Sequence, residues 1–153
     1  MSYAQSVLQP GETIVASGRL HWIIFGRAIL VFIIGALVVG AEYLYSPHDL
    51  LIAATAIAFG ALFLALFFHA WFTRWITEFA VTDKRVISKR GFVWRETEEM
   101  NMDKVETVDV DQSVLGRILD YGIIRVWGTG GTNEIIVNRI ASPIELRHAI
   151  IVK

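Results

Sequence analysis

Two stretches of almost unbroken apolar sequence, residues 28–45 and 50–72, dominate the first half of this chain, and after residue 74 the pattern changes to period-two alternation. Within the apolar runs the only charged residue is Glu42. Each run reaches the ~20 residues that a helix needs to cross the hydrocarbon core of a bilayer. The second run has no polar stripe to turn towards water, as a surface helix of a soluble protein would have. The pattern predicts a transmembrane helical hairpin over residues 22–73, with helices near 22–45 and 50–72 and an outer loop, "SPHD", at 46–49. A cleaved leader is disfavoured, since no basic residue precedes Arg19.

Residues 74–153 read as a separate, mainly-β domain, and residues 1–21 as an N-terminal segment. Phe79 and Val81 alternate with Glu78 and Thr82, and Val86 and Ile87 follow the charged turn "TDKR". Further strands are expected in "FVWRETEE", "KVETVDVD", "GIIRVWG" and "NEIIVNRI". Val105 is out of phase with Val108 and Val110, which predicts a β-bulge near Glu106 and Thr107. The glycine-rich "GTGG" suits a hairpin turn; a phosphate-cradling loop would need a following helix, and none is indicated. In "SPIELRHAIIVK", Ser142 and Glu145 match a capping box with Pro143 between them, and Leu146, Ala149 and Ile150 form an apolar stripe. The fold class predicted is a two-helix transmembrane hairpin plus a domain of six or seven strands in a sandwich or partly open barrel, closed by a C-terminal helix.

Composition agrees with a chain partly dissolved in lipid: 54% of residues are hydrophobic and the mean hydropathy is +0.51. Charge sets the orientation. Arg19, Arg27 and Arg74 flank the outer ends of the hairpin, and no Lys or Arg lies between Arg27 and Arg74, so the positive-inside rule puts both termini in the cytoplasm. Trp22, Trp71 and Trp75 at one level, and Tyr43 and Tyr45 at the other, suit the two membrane interfaces; with Arg27 and Arg74 they are the expected interface anchors. Cysteine is absent, which removes disulfides and argues against a zinc site.

Residues 74–153 carry 12 basic and 12 acidic residues, but residues 74–95 hold six basic against two acidic, and residues 96–120 two against eight. Lys84, Lys89, Arg90 and Arg95 are therefore candidates for contact with anionic lipid headgroups. The alternative is turn chemistry and ion pairs, with Arg85 bonded to Asp83 or Glu78. Val114, Leu115, Ile118 and Leu119 lie in a connection, where they would either plug the end of the β domain or form a knob that docks a partner or dips into the membrane. His21 and His69, near the cytoplasmic ends of the two helices, raise the alternative of a haem-binding or redox accessory subunit. No catalytic constellation, metal-ligand cluster or nucleotide fingerprint emerges, so no enzyme, metal or cofactor is expected, and no nucleic acid partner.

Four stretches, "LQPGETIVASGRLHW", "TEFAVTDKRVISKRG", "VETVDVDQSVLGRILDYGIIRVWGTGG" and "SPIELRHAI", together resemble the bacterial pleckstrin-homology (PH) domain family of small membrane proteins. The resemblance implies a PH-like fold, membrane attachment and no catalytic centre. That fold has seven strands where residues 74–153 supply six, so residues 12–18 are expected to return as the seventh at a sheet edge. The phosphoinositide-type Arg-x-Arg pair is absent, because the strand reads "RVISKR" over residues 85–90. The expectation is a non-enzymatic interaction module of the bacterial inner membrane, acting as adaptor or accessory subunit. Its partners would be the bilayer and a membrane protein or second copy of the chain, with anionic lipid sensing as the alternative.

Overall fold

The computed structural model describes residues 3–45, 48–91, 96–130 and 134–151. It divides into two compact units, Met1–His21 with Arg74–Lys153, and Trp22–Thr73.

The second unit is helical. A 3₁₀ turn, Trp22–Phe25, leads into α2, Gly26–Tyr45, and the chain returns along α3, Asp49–Ile76; a short α1, Tyr3–Ser6, lies earlier. The rings of Phe25 and Phe67 lie 5.2 Å apart and those of Phe32 and Phe63 5.5 Å. A Cβ on Gly35 would come within 2.7 Å of Phe59, and Thr55 donates its hydroxyl to Glu42 at 3.0 Å. As the first residue number of these pairs rises the second falls, so α2 and α3 are antiparallel. Gly35 is what permits the close approach at Phe59, in the manner of small residues at helix contacts in lipid. Glu42 is thus directed at α3.

The first unit contains seven strands among the described residues, in two antiparallel sheets. One sheet has the order β1-β2-β3-β4, formed by Ile14–Gly18, Glu78–Thr82, Arg85–Arg90 and Glu96–Asn101. The other has the order β5-β6-β7, formed by Val105–Asp111, Tyr121–Gly128 and Glu134–Ala141. The expected seventh strand is β1, paired with β2 from Ile14 opposite Thr82 to Gly18 opposite Phe79. The predicted bulge is present as a register shift between Val105 and Thr107. Residues 92–95 of the expected strand "FVWRETEE" lie outside the described residues, and β4 supplies the remainder.

Period two decides which side chains form the core. Phe79, Val81, Val86 and Met100 are buried from the first sheet, and Val108, Ile124, Val126, Ile135, Val137 and Ile140 from the second. The last helix, α5, Pro143–Ile151, packs on β1 and β2 of one sheet and β5 and β6 of the other, burying Leu146 and Ile150. Gly18 makes room there, since a Cβ would meet Ile140 at 2.5 Å and Leu146 at 2.9 Å. Ser142 does not have the extended backbone of the expected N-cap: its φ is +47°, and its hydroxyl donates to Asp120 at 2.6 Å. The outward face of the second sheet is mixed: Arg125 is paired to Asp111 and the Trp127 indole N–H donates to Asp109 at 3.0 Å, beside Ile123 and Ile136.

Candidate functional site

The first sheet is covered on both faces. Its core face carries Phe79, Val81 and Val86; its other face carries Ala80, Thr82, Arg85 and Ile87, of which Ala80, Thr82 and Ile87 are also buried. The N-terminal segment is bonded to this second face. The Ala4 N–H donates to Glu78 at 3.3 Å, Lys89 Nζ sits 4.4 Å from the Tyr3 ring centroid, and Thr13 and Asp83 exchange two bonds of 2.9 and 3.1 Å.

Arg85 is the hub of the attachment. Its Nε and Nη2 each donate at 3.0 Å to the two oxygens of Glu12, Nη1 donates to Glu99 at 2.7 Å, and Nη2 also reaches the Val7 carbonyl at 2.7 Å. The Glu12 side chain is 0% exposed. Burial by itself pushes its carboxyl up; the Gln9 N–H at 2.8 Å, the Thr82 hydroxyl at 2.7 Å and the Arg85 guanidinium outweigh that, bringing it from 4.5 to about 2. Arg85 is held more firmly protonated by the same partnership with Glu12. The expected pairing of Arg85 with Asp83 or Glu78 is therefore replaced by Glu12 and Glu99. The cause is the strand register, which brings Glu99 opposite Ile87 and the segment before β1 over Thr82.

The strand registers also give the β unit two distinct ends. Residues 21 and 74, where the chain passes into and out of the helical unit, define a crossing end, and the β2–β3 turn defines the far end, about 15 Å away at the strand rise. The predicted basic set divides between them. Lys84 is exposed in the far turn, where its carbonyl accepts from the Met102 N–H at 2.8 Å. Lys89, opposite Glu78, and Arg90 lie towards the crossing end; Arg90 Nη2 is buried with no partner among the described residues. Arg95 lies outside the described residues.

At the crossing end, Leu20 bridges Ile140, the His21 N–H donates to the Arg139 carbonyl at 2.7 Å, and the His21 ring stacks on Tyr121 at 5.2 Å. Burial lowers the His21 pKa and nearby Arg74 lowers it further, while Asp120 and a bond to the Leu119 backbone oppose both. These contacts support a packing role for His21. His69 lies in α3, where its carbonyl accepts from Thr73 at 2.8 Å. Among the described residues no group of three His, Cys, Asp or Glu side chains could hold a metal ion.

The connection between β5 and β6 is a helix, α4, Val114–Leu119. Ser113 caps it by accepting the Gly116 N–H at 3.1 Å, and Asp120 ends it in the left-handed conformation, φ 54°. Gly116 is buried, and a Cβ there would meet the Tyr121 carbonyl at 2.6 Å. With that side against β6, Val114, Leu115 and Ile118 point outward at 74%, 62% and 72% exposure, and Leu119 is half-buried. The three do not plug the sandwich; α5 takes that place. The interface candidates Trp22, Arg27, Tyr43, Tyr45, Trp71, Arg74 and Trp75 are all exposed, and in the antiparallel pair Trp22 and Trp71 fall at the same level.

A sequence model of the family described as "Bacterial PH domain" matches residues 24–151, taking in both apolar helices, β2 to β7 and α5. No curated protein and no solved structure matches the chain. Two long apolar helices with seven antiparallel strands in two sheets and a C-terminal helix are consistent with a PH-like fold. The chain belongs to the bacterial PH domain family.

Proposed function

We propose that this protein is a non-enzymatic interaction module, confined to the cytoplasmic surface of a bacterial inner membrane by the hairpin of α2 and α3. The observation that carries the reading is the nakedness of those helices. Segments of 24 and 28 residues have only 11% and 0% of their most apolar windows buried, so nothing among the described residues covers them as a soluble core would. Side chains such as Leu37 and Ile57, 68% and 71% exposed, require lipid or another protein around them. PH domains commonly bind lipids or proteins, and a module restricted to a membrane meets membrane partners at high effective concentration, so modest contacts suffice. The partner class that follows is a membrane protein or a second copy of the chain, with the module as adaptor or accessory subunit. The lipid-sensing alternative draws support from Lys89 and Arg90, whose register places them towards the crossing end; Lys84 at the far turn does not contribute to it.

Cell membranes containing the full chain, washed with alkaline carbonate, should retain it in the pellet. Protease added to inverted vesicles, but not to intact spheroplasts, should remove the β unit. Release of the chain by carbonate would overturn the anchor, and cleavage of the β unit in spheroplasts would overturn the orientation.

A further inference from the structure

We propose that the crossing end of the β unit is itself a bilayer-contacting surface, in which Val114, Leu115 and Ile118 enter the boundary between headgroups and acyl chains while Arg19, Arg117 and Arg139 engage lipid phosphates. The inference rests on the membrane-anchor reading above and deepens it by assigning the surface and the lipid chemistry.

Position is the first argument. His21, the last residue before the first apolar segment, stacks on Tyr121 and bonds to the Leu119 backbone. Arg74, where the chain returns, is close enough to act electrostatically on His21. The crossing at His21 is thus beside the C-terminal end of α4, a helix only ~9 Å long, so its apolar side chains lie about one helix length from the residue that leads into the hairpin.

Preorganisation is the second. Gly116 packs inward, and the Gln112 side-chain amide donates to the Gly116 and Tyr121 carbonyls at 3.3 and 3.2 Å. With the Ser113 cap these bonds fix α4 so that the outward face carries the apolar side chains. No ordering of the loop is then required when they leave water.

Charge is the third. Arg19, Arg74, Arg117 and Arg139 are all exposed in the segments that meet at this end, two of them tied into it through their carbonyls, to Ala141 at 3.0 Å and to His21 at 2.7 Å. Of the acidic residues at the same end, Asp120 accepts the Ser142 hydroxyl, Asp111 is paired with Arg125, Glu78 accepts the Ala4 N–H, and Glu96 lies opposite Arg90. Guanidinium groups around a small apolar knob complement anionic headgroups over acyl chains. A stable protein interface buries about 800 Å² on each side, far more than three side chains on six residues can supply. The bilayer is accordingly the occupant assigned.

The chain has no cysteine, so single nitroxide labels can be placed on the full-length protein. Leu115→Cys and Ile118→Cys report on the knob, Lys104→Cys on the far end, and Leu37→Cys on the hairpin. In phosphatidylcholine vesicles containing phosphatidylglycerol, the Leu115 and Ile118 labels should be several-fold more accessible to oxygen than to a water-soluble nickel chelate, as Leu37 should be, while Lys104 shows the reverse. Nickel accessibility at Leu115 and Ile118 matching that at Lys104 would overturn the proposal, because the knob would lie in water. Exclusion of both reagents would overturn it in favour of a protein partner. Nickel access at Leu37 would instead sink the membrane-anchor reading, and the inference with it; lipid exposure at Leu37 with water at the knob defeats the inference alone.

Discussion

Arg85→Ala should destabilise the β unit by about 3–5 kcal/mol, a large share of the stability of a domain this size. The loss comes less from the missing attraction than from what stays behind. Glu12, whose side chain is fully buried in the parent, would lose its guanidinium partner and be held by the Gln9 N–H and the Thr82 hydroxyl alone. The bonds from Arg85 to Val7 and Glu99 would go as well, loosening the N-terminal segment from the face that carries Ala80 and Ile87. Arg85→Lys should recover little, because an ammonium cannot bond both oxygens of Glu12 in a fork. Arg85→Met combined with Glu12→Leu should recover most of the loss, since it leaves no unpaired charge. Urea unfolding of the full chain in detergent, followed by tryptophan fluorescence, reads all three. A loss below about 1 kcal/mol for Arg85→Ala would mean that the pair is an ordinary surface contact.

The same site sets an acid limit. The Glu12 carboxyl titrates at about 2 in the folded protein instead of 4.5, so the group stabilises the fold throughout the neutral range, and that contribution is lost as pH falls from about 4.5 towards about 2. The shift corresponds to about 3 kcal/mol. In Glu12→Gln the acid loss across that window should be smaller by this amount.

The second large effect is expected at α5. Ile150→Asp places a carboxylate where the parent side chain is 6% exposed and packs between the sheets, and it should cost several kcal/mol or prevent folding. The next residue supplies the control. Ile151 is 54% exposed, so Ile151→Asp should change stability by no more than about 0.5 kcal/mol. Equal effects from the two would contradict the seating of the helix, whatever their size.

Most of this architecture could be read from local patterns. The apolar runs predict α2 and α3, alternation predicts the strands from Glu78 onward, and the phase break at Val105 predicts the bulge. The rest depends on contacts that no local window contains. β1 is separated from β2 by the whole helical hairpin, so a resemblance had to suggest what the pairing of Gly18 with Phe79 establishes. Glu12 and Arg85 are 73 residues apart, and nearby Asp83 and Glu78 were the obvious partners until the N-terminal segment crossed the sheet. In α4, six residues with a glycine among them gave too short a period to reveal a helix or its outward face. Arg139 and Arg117 join Arg19 at one end through strand register and helix capping, neither of which charge counting detects.

The central claim is that α2 and α3 cross a bilayer as a hairpin with both chain ends on the inside, and its most direct test is at the turn between them. A cysteine at His48, just before α3, would be the sole thiol of the chain. In intact spheroplasts a membrane-impermeant maleimide should label His48→Cys fully, and should leave a cysteine at Lys104 unlabelled until the membrane is opened. Labelling of Lys104→Cys but not His48→Cys would invert the topology, and labelling of neither before lysis would contradict the spanning hairpin.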